Sequence, residues 1–194
     1  MSQARTQVAG AGTQTAALAF GGIAPGTVNS TEEYIGFNWS GGGSLVNPLR
    51  NAAGAGIQTA ALAIGGNVSG DTTEKYDGSS WTNAGNLGTA RYRLAGCGIQ
   101  TAALACEGLP ESPPQAALTA TEEYGGSSWT AGGALNTARQ SNVGNGGPTA
   151  QTEMLVTGGS PPTATSELYT GTTWVIAPRL GSARNKQIKG QTSN

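Results

Sequence analysis

One phrase is written four times along this chain, and its recurrence limits the fold more than any other feature. NSTEEYIGFNWS (29–40), DTTEKYDGSSWT (71–82), TATEEYGGSSWT (119–130) and ATSELYTGTTWV (164–175) each carry Glu-x-Tyr followed by Trp. Trp39, Trp81, Trp129 and Trp174 are separated by 42, 48 and 45 residues. Before each lies a short apolar run closed by glycine: TQTAALAFGG (13–22), IQTAALAIGG (57–66), IQTAALACEG (99–108) and AQTEMLVTGG (150–159). After each Trp comes an arginine, Arg50, Arg91, Arg139 or Arg184, and Arg5 holds the same phase one repeat earlier. A unit of this length cannot bury its own apolar faces, so neighbouring units must stack on one another.

Each unit divides into four segments: one after the arginine, the Ala-rich run, the Glu-x-Tyr segment, and the Trp segment leading to Leu45, Leu87, Leu135 or Leu180. Four short apolar segments with glycine punctuation predict a four-stranded antiparallel sheet, the blade of a β-propeller. TAALAI alone reads as a helix start because Ala leads the helix scale. The run is too short for a typical helix, however, and Gly-Gly ends it, so it is expected to be the inner strand, where blades converge and only small side chains fit. Tyr34, Tyr76, Tyr124 and Tyr169 precede their tryptophans across a Gly-containing turn, the spelling of a hairpin, and the rings are expected to pack between sheets.

Glu32, Glu74, Glu122 and Glu167 are locked to the same phase as Arg5, Arg50, Arg91, Arg139 and Arg184. Solvating charge has no reason to recur in register. Each guanidinium is expected to fork onto a Glu carboxylate or onto backbone carbonyls; a ring of charge binding a ligand at the axis is the alternative.

The order Arg segment, apolar strand, Gly-Gly, Glu-x-Tyr-Asp-Gly, Trp and Leu resembles the kelch repeat, with TEKYDGSSW the best single match. The Ala- and Thr-rich dialect QTAALAIGG…TEKYDGSSWTNAGNLGTAR is similar to kelch-like repeats in tail and appendage proteins of tailed, especially marine, bacteriophages. The resemblance spans Arg5 to Arg184, with departures at Glu107-Gly108, at TEML in unit four, and in the Asp after Tyr, present only at Asp77. It implies an all-β, four-bladed kelch-like propeller over 1–182, with blades at about 5–49, 50–90, 91–138 and 139–182 and a surplus C-terminal strand or tail at 183–194. Kelch propellers usually have more than four blades. The chain either closes by itself, which we favour, or shares a larger assembly with other chains, and the surplus strand either adds to a neighbour or first blade or is a polar tail.

Other chemistry is thin. With no histidine, the Ser-His-Asp and Cys-His arrangements and the commonest zinc ligand are missing. Adjacent carboxylates Glu32-Glu33 and Glu122-Glu123 should point to opposite faces of a strand and cannot converge on one bond. Asp71 and Asp77 in unit two could hold a lone calcium, a minor alternative. The glycines of GAGTQT and GAGIQT are not a dinucleotide fingerprint. Cys97 and Cys106 read as two buried thiols, with a hairpin disulfide as the other option. We expect no enzyme and no cofactor.

With 10 Lys and Arg against 11 Asp and Glu, there is no basic stripe for nucleic acid, and no apolar run suits a signal peptide or a membrane span. Sequons at Asn29, Asn38 and Asn67 matter only where a glycosylating pathway acts. The most divergent loop, 107–120, makes Pro110, Glu111, Pro113 and Pro114 a candidate binding loop, or simply a surface loop tolerant of length. The expected function is a structural and attachment protein of a phage virion (tail fibre, appendage or capsid decoration), located in the virion or outside the cell. Its partners would be itself, other virion or filament proteins, or a host-surface glycan. A subunit of a cellular extracellular filament linked by strand exchange and a glycan-binding propeller are the alternatives.

Overall fold

The computed structural model describes residues 1–140 and 151–183. The described chain is all β, with no helix. The first unit contains β1 (Ala9–Gly12), β2 (Ala17–Phe20), β3 (Thr31–Tyr34) and β4 (Trp39–Gly41), and the second contains β5 (Ala53–Ile57), β6 (Ala60–Ile64), β7 (Thr73–Tyr76) and β8 (Trp81–Asn83). The third contains β9 (Arg91–Tyr92), β10 (Ala95–Ile99), β11 (Ala102–Cys106), β12 (Leu109–Pro110), β13 (Thr121–Tyr124) and β14 (Trp129–Ala131). The fourth contains β15 (Met154–Thr157), β16 (Ser166–Tyr169) and β17 (Trp174–Ala177).

Units one to three each form a four-stranded antiparallel meander, β1-β2-β3-β4, β5-β6-β7-β8 and β10-β11-β13-β14; β9 and β12 pair separately. In unit four the sheet is β15-β16-β17 among the described residues. The strand expected after Arg139 falls mainly within 141–150, and Arg184 with the rest of the surplus strand falls within 184–194. Both segments lie outside the described residues.

The registers are the same from unit to unit. Tyr34 sits opposite Trp39, Tyr76 opposite Trp81, Tyr124 opposite Trp129 and Tyr169 opposite Trp174. Their rings touch at centroid distances of 4.9 to 5.2 Å. The Gly-Gly closers take left-handed backbone, with Gly21 at φ 65° and Gly22 at 102°. Glu107 holds φ 57° at the same place in unit three, where a Cβ is normally unwelcome.

The sheets stack face against face. Each has a forward face towards the next unit and a back face towards the preceding one. Ala11, Leu18 and Phe20 on the forward face of unit one pack with Ala61, Ala63, Tyr76 and Trp81 on the back face of unit two. Ala55, Leu62 and Ile64 meet Ala103, Ala105 and Tyr124 in the second joint. Cys97, Leu104 and Cys106 meet Met154, Val156, Tyr169 and Trp174 in the third. A single leucine as buried as Leu62 contributes about 2 kcal/mol through removal from water.

The Ala-rich run is not the strand on which successive sheets converge. It lies second in each meander, and the Gly-Ala edge strand before it makes the close approach, β5 resting against β1 on one side and β10 on the other. Glycine explains the difference. A Cβ on Gly54 would stand 2.2 Å from the Gly10 carbonyl oxygen, and one on Gly96 would stand 3.0 Å from the Ala53 Cβ. Two edge backbones can come this near only where side chains are missing, whereas alanine in the second strand fills the space between the faces.

Among the described residues, each core cluster joins consecutive units and none joins unit four to unit one. Closure within one chain is therefore not part of the described architecture.

Candidate functional site

The feature built most often in this protein is the joint between sheets. Its polar parts repeat as faithfully as its core. The Trp81 indole N–H donates to Thr31 Oγ1, that of Trp129 to Thr73 Oγ1 and that of Trp174 to Thr121 Oγ1, each at 2.9 Å and each across to the preceding unit. The amide of Gln58 donates to the Ala17 and Tyr34 carbonyls at 3.0 and 2.8 Å. Gln100 does the same to Ala61 and Tyr76, and Gln151 to Ala103 and Tyr124. One amide thus ties two strands of the neighbouring sheet together.

A third contact alternates with the residue at the centre of the forward face. The Tyr76 hydroxyl donates to Glu33 Oε1 at 2.5 Å, and the Tyr169 hydroxyl donates to Glu123 Oε1. Burial, and then the hydrogen bond to a carboxylate, push both phenols up to about 12. Between them, Lys75 takes the place of the glutamate. Its ammonium lies 5.6 Å from the Tyr124 ring centroid and donates to the Gly126 carbonyl at 2.5 Å, which leaves the buried Tyr124 hydroxyl without a hydrogen bond.

The phase-locked ions hold each unit to the segment that enters it. Arg5 donates to the Gly21 and Ser30 carbonyls and to Glu32 at 2.6 Å. Arg139 donates to the Gly158 and Thr165 carbonyls and to Glu167 at 2.5 Å, and Arg91 reaches the Ala120 carbonyl and Glu122. The same glutamates accept backbone N–H groups from the preceding linker: Glu122 from Gly88, Glu167 from Asn136 and Thr137. In unit one, Ser2 N donates to Glu32 at 2.6 Å. Burial opposes ionisation of Glu32, but the Ser2 and Arg5 bonds outweigh it and hold its pKa below the ordinary value.

Arg50 differs. Glu74 is occupied by Val46 N, Asn47 N and the Asn47 side chain, while Arg50 pairs through its backbone with Asn67 and its buried Nε has no hydrogen bond.

Side chains with catalytic capacity are separated by this arrangement. Glu32 turns back to Arg5 while Glu33 turns forward to Tyr76, and Glu122 and Glu123 divide in the same way. Asp77 accepts the Ser80 and Ser79 N–H groups within its own turn, which holds its carboxyl far below the usual range, and Asp71 accepts from Asn86 at 3.0 Å. No group of three or more metal-ligating side chains gathers among the described residues. Cys97 and Cys106 are buried thiols without a disulfide, and burial pushes the Cys106 thiol well up.

In the 107–120 loop, Pro110 lies in β12, opposite Arg91 in β9. The Glu111 carboxylate accepts Val68 N at 2.9 Å and Gly70 N at 3.3 Å, anchoring the loop to unit two, while Pro113 and Pro114 are exposed.

Of the residues singled out in the sequence, Trp81, Trp129, Trp174, Tyr76, Tyr124 and Tyr169 meet at the joints, while Trp39 and Tyr34 are half-exposed on the back face of unit one. Arg5, Arg91 and Arg139 pair with Glu32, Glu122 and Glu167 inside their own units, Arg50 and Glu74 do not pair, and Arg184 lies outside the described residues. The glutamines and threonines of the joints were missed, although Gln in IQTAAL and Thr in TE-x-Tyr recur in register and carried the signal. No protein-family model matches the chain, and no curated protein matches its sequence.

Proposed function

We propose that this chain is a non-enzymatic structural and attachment component of a phage virion, in a tail fibre, appendage or capsid decoration, with its sheets acting as kelch-like blades. One observation carries the structural part of this reading. In three successive joints the recurring Trp, Gln and Thr side chains bond from sheet to sheet rather than around a cavity. Such repetition is what a stiff spacer or scaffold requires. The virion context rests on the resemblance in repeat dialect alone.

Of the two arrangements open to a kelch-like array, completion by other subunits is favoured over closure of four blades in one chain. The back face of unit one and the forward face of unit four each keep exposed large side chains. The test is quantitative mass spectrometry and antibody-gold microscopy of purified particles from a host that carries this coding sequence. The reading expects the chain in fixed stoichiometry at one position on the particle. Its absence from purified particles would overturn it.

A further inference from the structure

The two ends of the stack carry the two halves of a joint already made three times inside the chain. On the forward face of unit four, Leu155, Leu168 and Val175 lie in one cross-strand row. They are 49%, 39% and 44% exposed, although leucine at the Leu155 position is 2% exposed as Leu18 and fully buried as Leu62 and Leu104, covered in each case by the next sheet. Leu180 is only partly buried, unlike Leu45, Leu87 and Leu135, which the next sheet also covers. Ser166 occupies the register of Thr31, Thr73 and Thr121, the three acceptors of a tryptophan N–H.

At the other end, no described residue accepts from the Trp39 indole. Gln14, in the phase of Gln58, Gln100 and Gln151, is exposed and makes none of their hydrogen bonds. Tyr34 turns its hydroxyl to the Gly36 carbonyl of its own turn, and Phe37 is exposed beside it.

We propose that the forward face of unit four binds the back face of unit one of a second copy of this chain, continuing the internal joint from copy to copy. In that contact the Trp39 indole donates to Ser166 Oγ, Gln14 spans the Met154 and Tyr169 carbonyls, and the Tyr34 and Trp39 rings cover Leu155 and Leu168. The contact is head to tail, so it propagates into a filament or closes into a ring of copies, according to the rotation per step. The proposal rests on the scaffold reading above and not on its virion context, because it is tested on the pure chain whether or not particles contain the protein.

The experiment is sedimentation equilibrium and light scattering of the full chain over a concentration series, with three variants whose fold is checked by near-ultraviolet circular dichroism. The parent chain is expected to associate reversibly. Leu155→Asp changes an exposed side chain, leaves the single chain folded, and weakens association at least tenfold. Gln14→Ala weakens it as well.

Leu168→Glu separates a repeat-type joint from a merely sticky patch. It restores the glutamate found as Glu33 and Glu123, supplies an acceptor for the Tyr34 hydroxyl, and leaves association as tight as in the parent or up to about tenfold tighter, the equivalent of one net hydrogen bond. A parent chain that stays monomeric to millimolar concentration overturns the proposal. So does association that Leu155→Asp leaves unchanged, or that Leu168→Glu abolishes.

Discussion

The three buried tyrosines of the joints offer an internal comparison, because they share a register and differ in what meets the hydroxyl. Tyr76 and Tyr169 donate to Glu33 and Glu123, whereas the Tyr124 hydroxyl is buried without a hydrogen bond. Replacing Tyr76 or Tyr169 by Phe removes a bond to an ionised acceptor, worth about 1.5–3 kcal/mol. Glu33 and Glu123 are both half-buried and regain some water, so the lower part of that range applies to both tyrosines. Tyr124→Phe removes a polar group whose burial already costs about 1–3 kcal/mol, so its effect is near zero or stabilising by up to about 1 kcal/mol.

The two classes should therefore differ by about 2 kcal/mol, or roughly 4–8 °C in Tm for a chain of this size. Urea unfolding followed by tryptophan fluorescence, with thermal unfolding by circular dichroism, measures the difference. The pH dependence has a definite sign. The phenols of Tyr76 and Tyr169 lie near 12 in the folded chain against an ordinary 10, so their contribution is complete below pH 10 and is lost as pH rises through 12. The Tyr76→Phe, Tyr169→Phe double variant should lose less stability across that window than the parent. Equal destabilisation by all three Phe substitutions would refute the reasoning.

Lys75→Glu should stabilise by about 1 kcal/mol, because a carboxylate gives the Tyr124 hydroxyl its partner while the exchange loses the Gly126 bond and the cation–π contact; a higher urea midpoint is the readout. Gly54→Ala should cost about 1–3 kcal/mol or more, since its Cβ meets the Gly10 carbonyl oxygen, whereas Gly41→Ala, with nothing within 4 Å, should stay within about 0.5 kcal/mol. Arg139→Lys should cost about 2–3 kcal/mol by the same assay, because one ammonium cannot reach Gly158, Thr165 and Glu167 together.

Much of this architecture is legible in the residues because the repeat writes it out several times. The four Trp anchors fix the registers, since each Trp needs a Tyr opposite and a closing turn, and the recurring Arg and Glu mark ions whose partners lie in the same unit. What a neighbouring sheet imposes is harder to read. Glycine at 10, 54 and 96 resembles loop glycine until the adjacent edge strand is in place, and without that strand the alanine of the following strand reads as the small residue that matters. Arg50 holds the same phase as Arg139 without the same ion pair, although Glu74 and Glu167 each accept from an asparagine side chain and two backbone N–H groups, and nothing in the residues around it explains the difference. Lys75 in TEKY reads as a surface substitution, yet it decides whether Tyr124 has an acceptor. Closure was the least legible property. It depends on the rotation between sheets, which no single unit encodes, and among the described residues the apolar row at 155, 168 and 175 stays exposed.

The tryptophans of units two to four bind the sheet before their own, and among the described residues no sheet precedes unit one. Hydrogen exchange of the four indole N–H groups in the Leu155→Asp chain, with signals assigned by single Trp→Phe substitutions, tests this most directly. Three slow signals, from Trp81, Trp129 and Trp174, and one fast signal, from Trp39, are expected. Four signals exchanging alike, all protected as in a closed wheel or all open as in unjoined sheets, would contradict it.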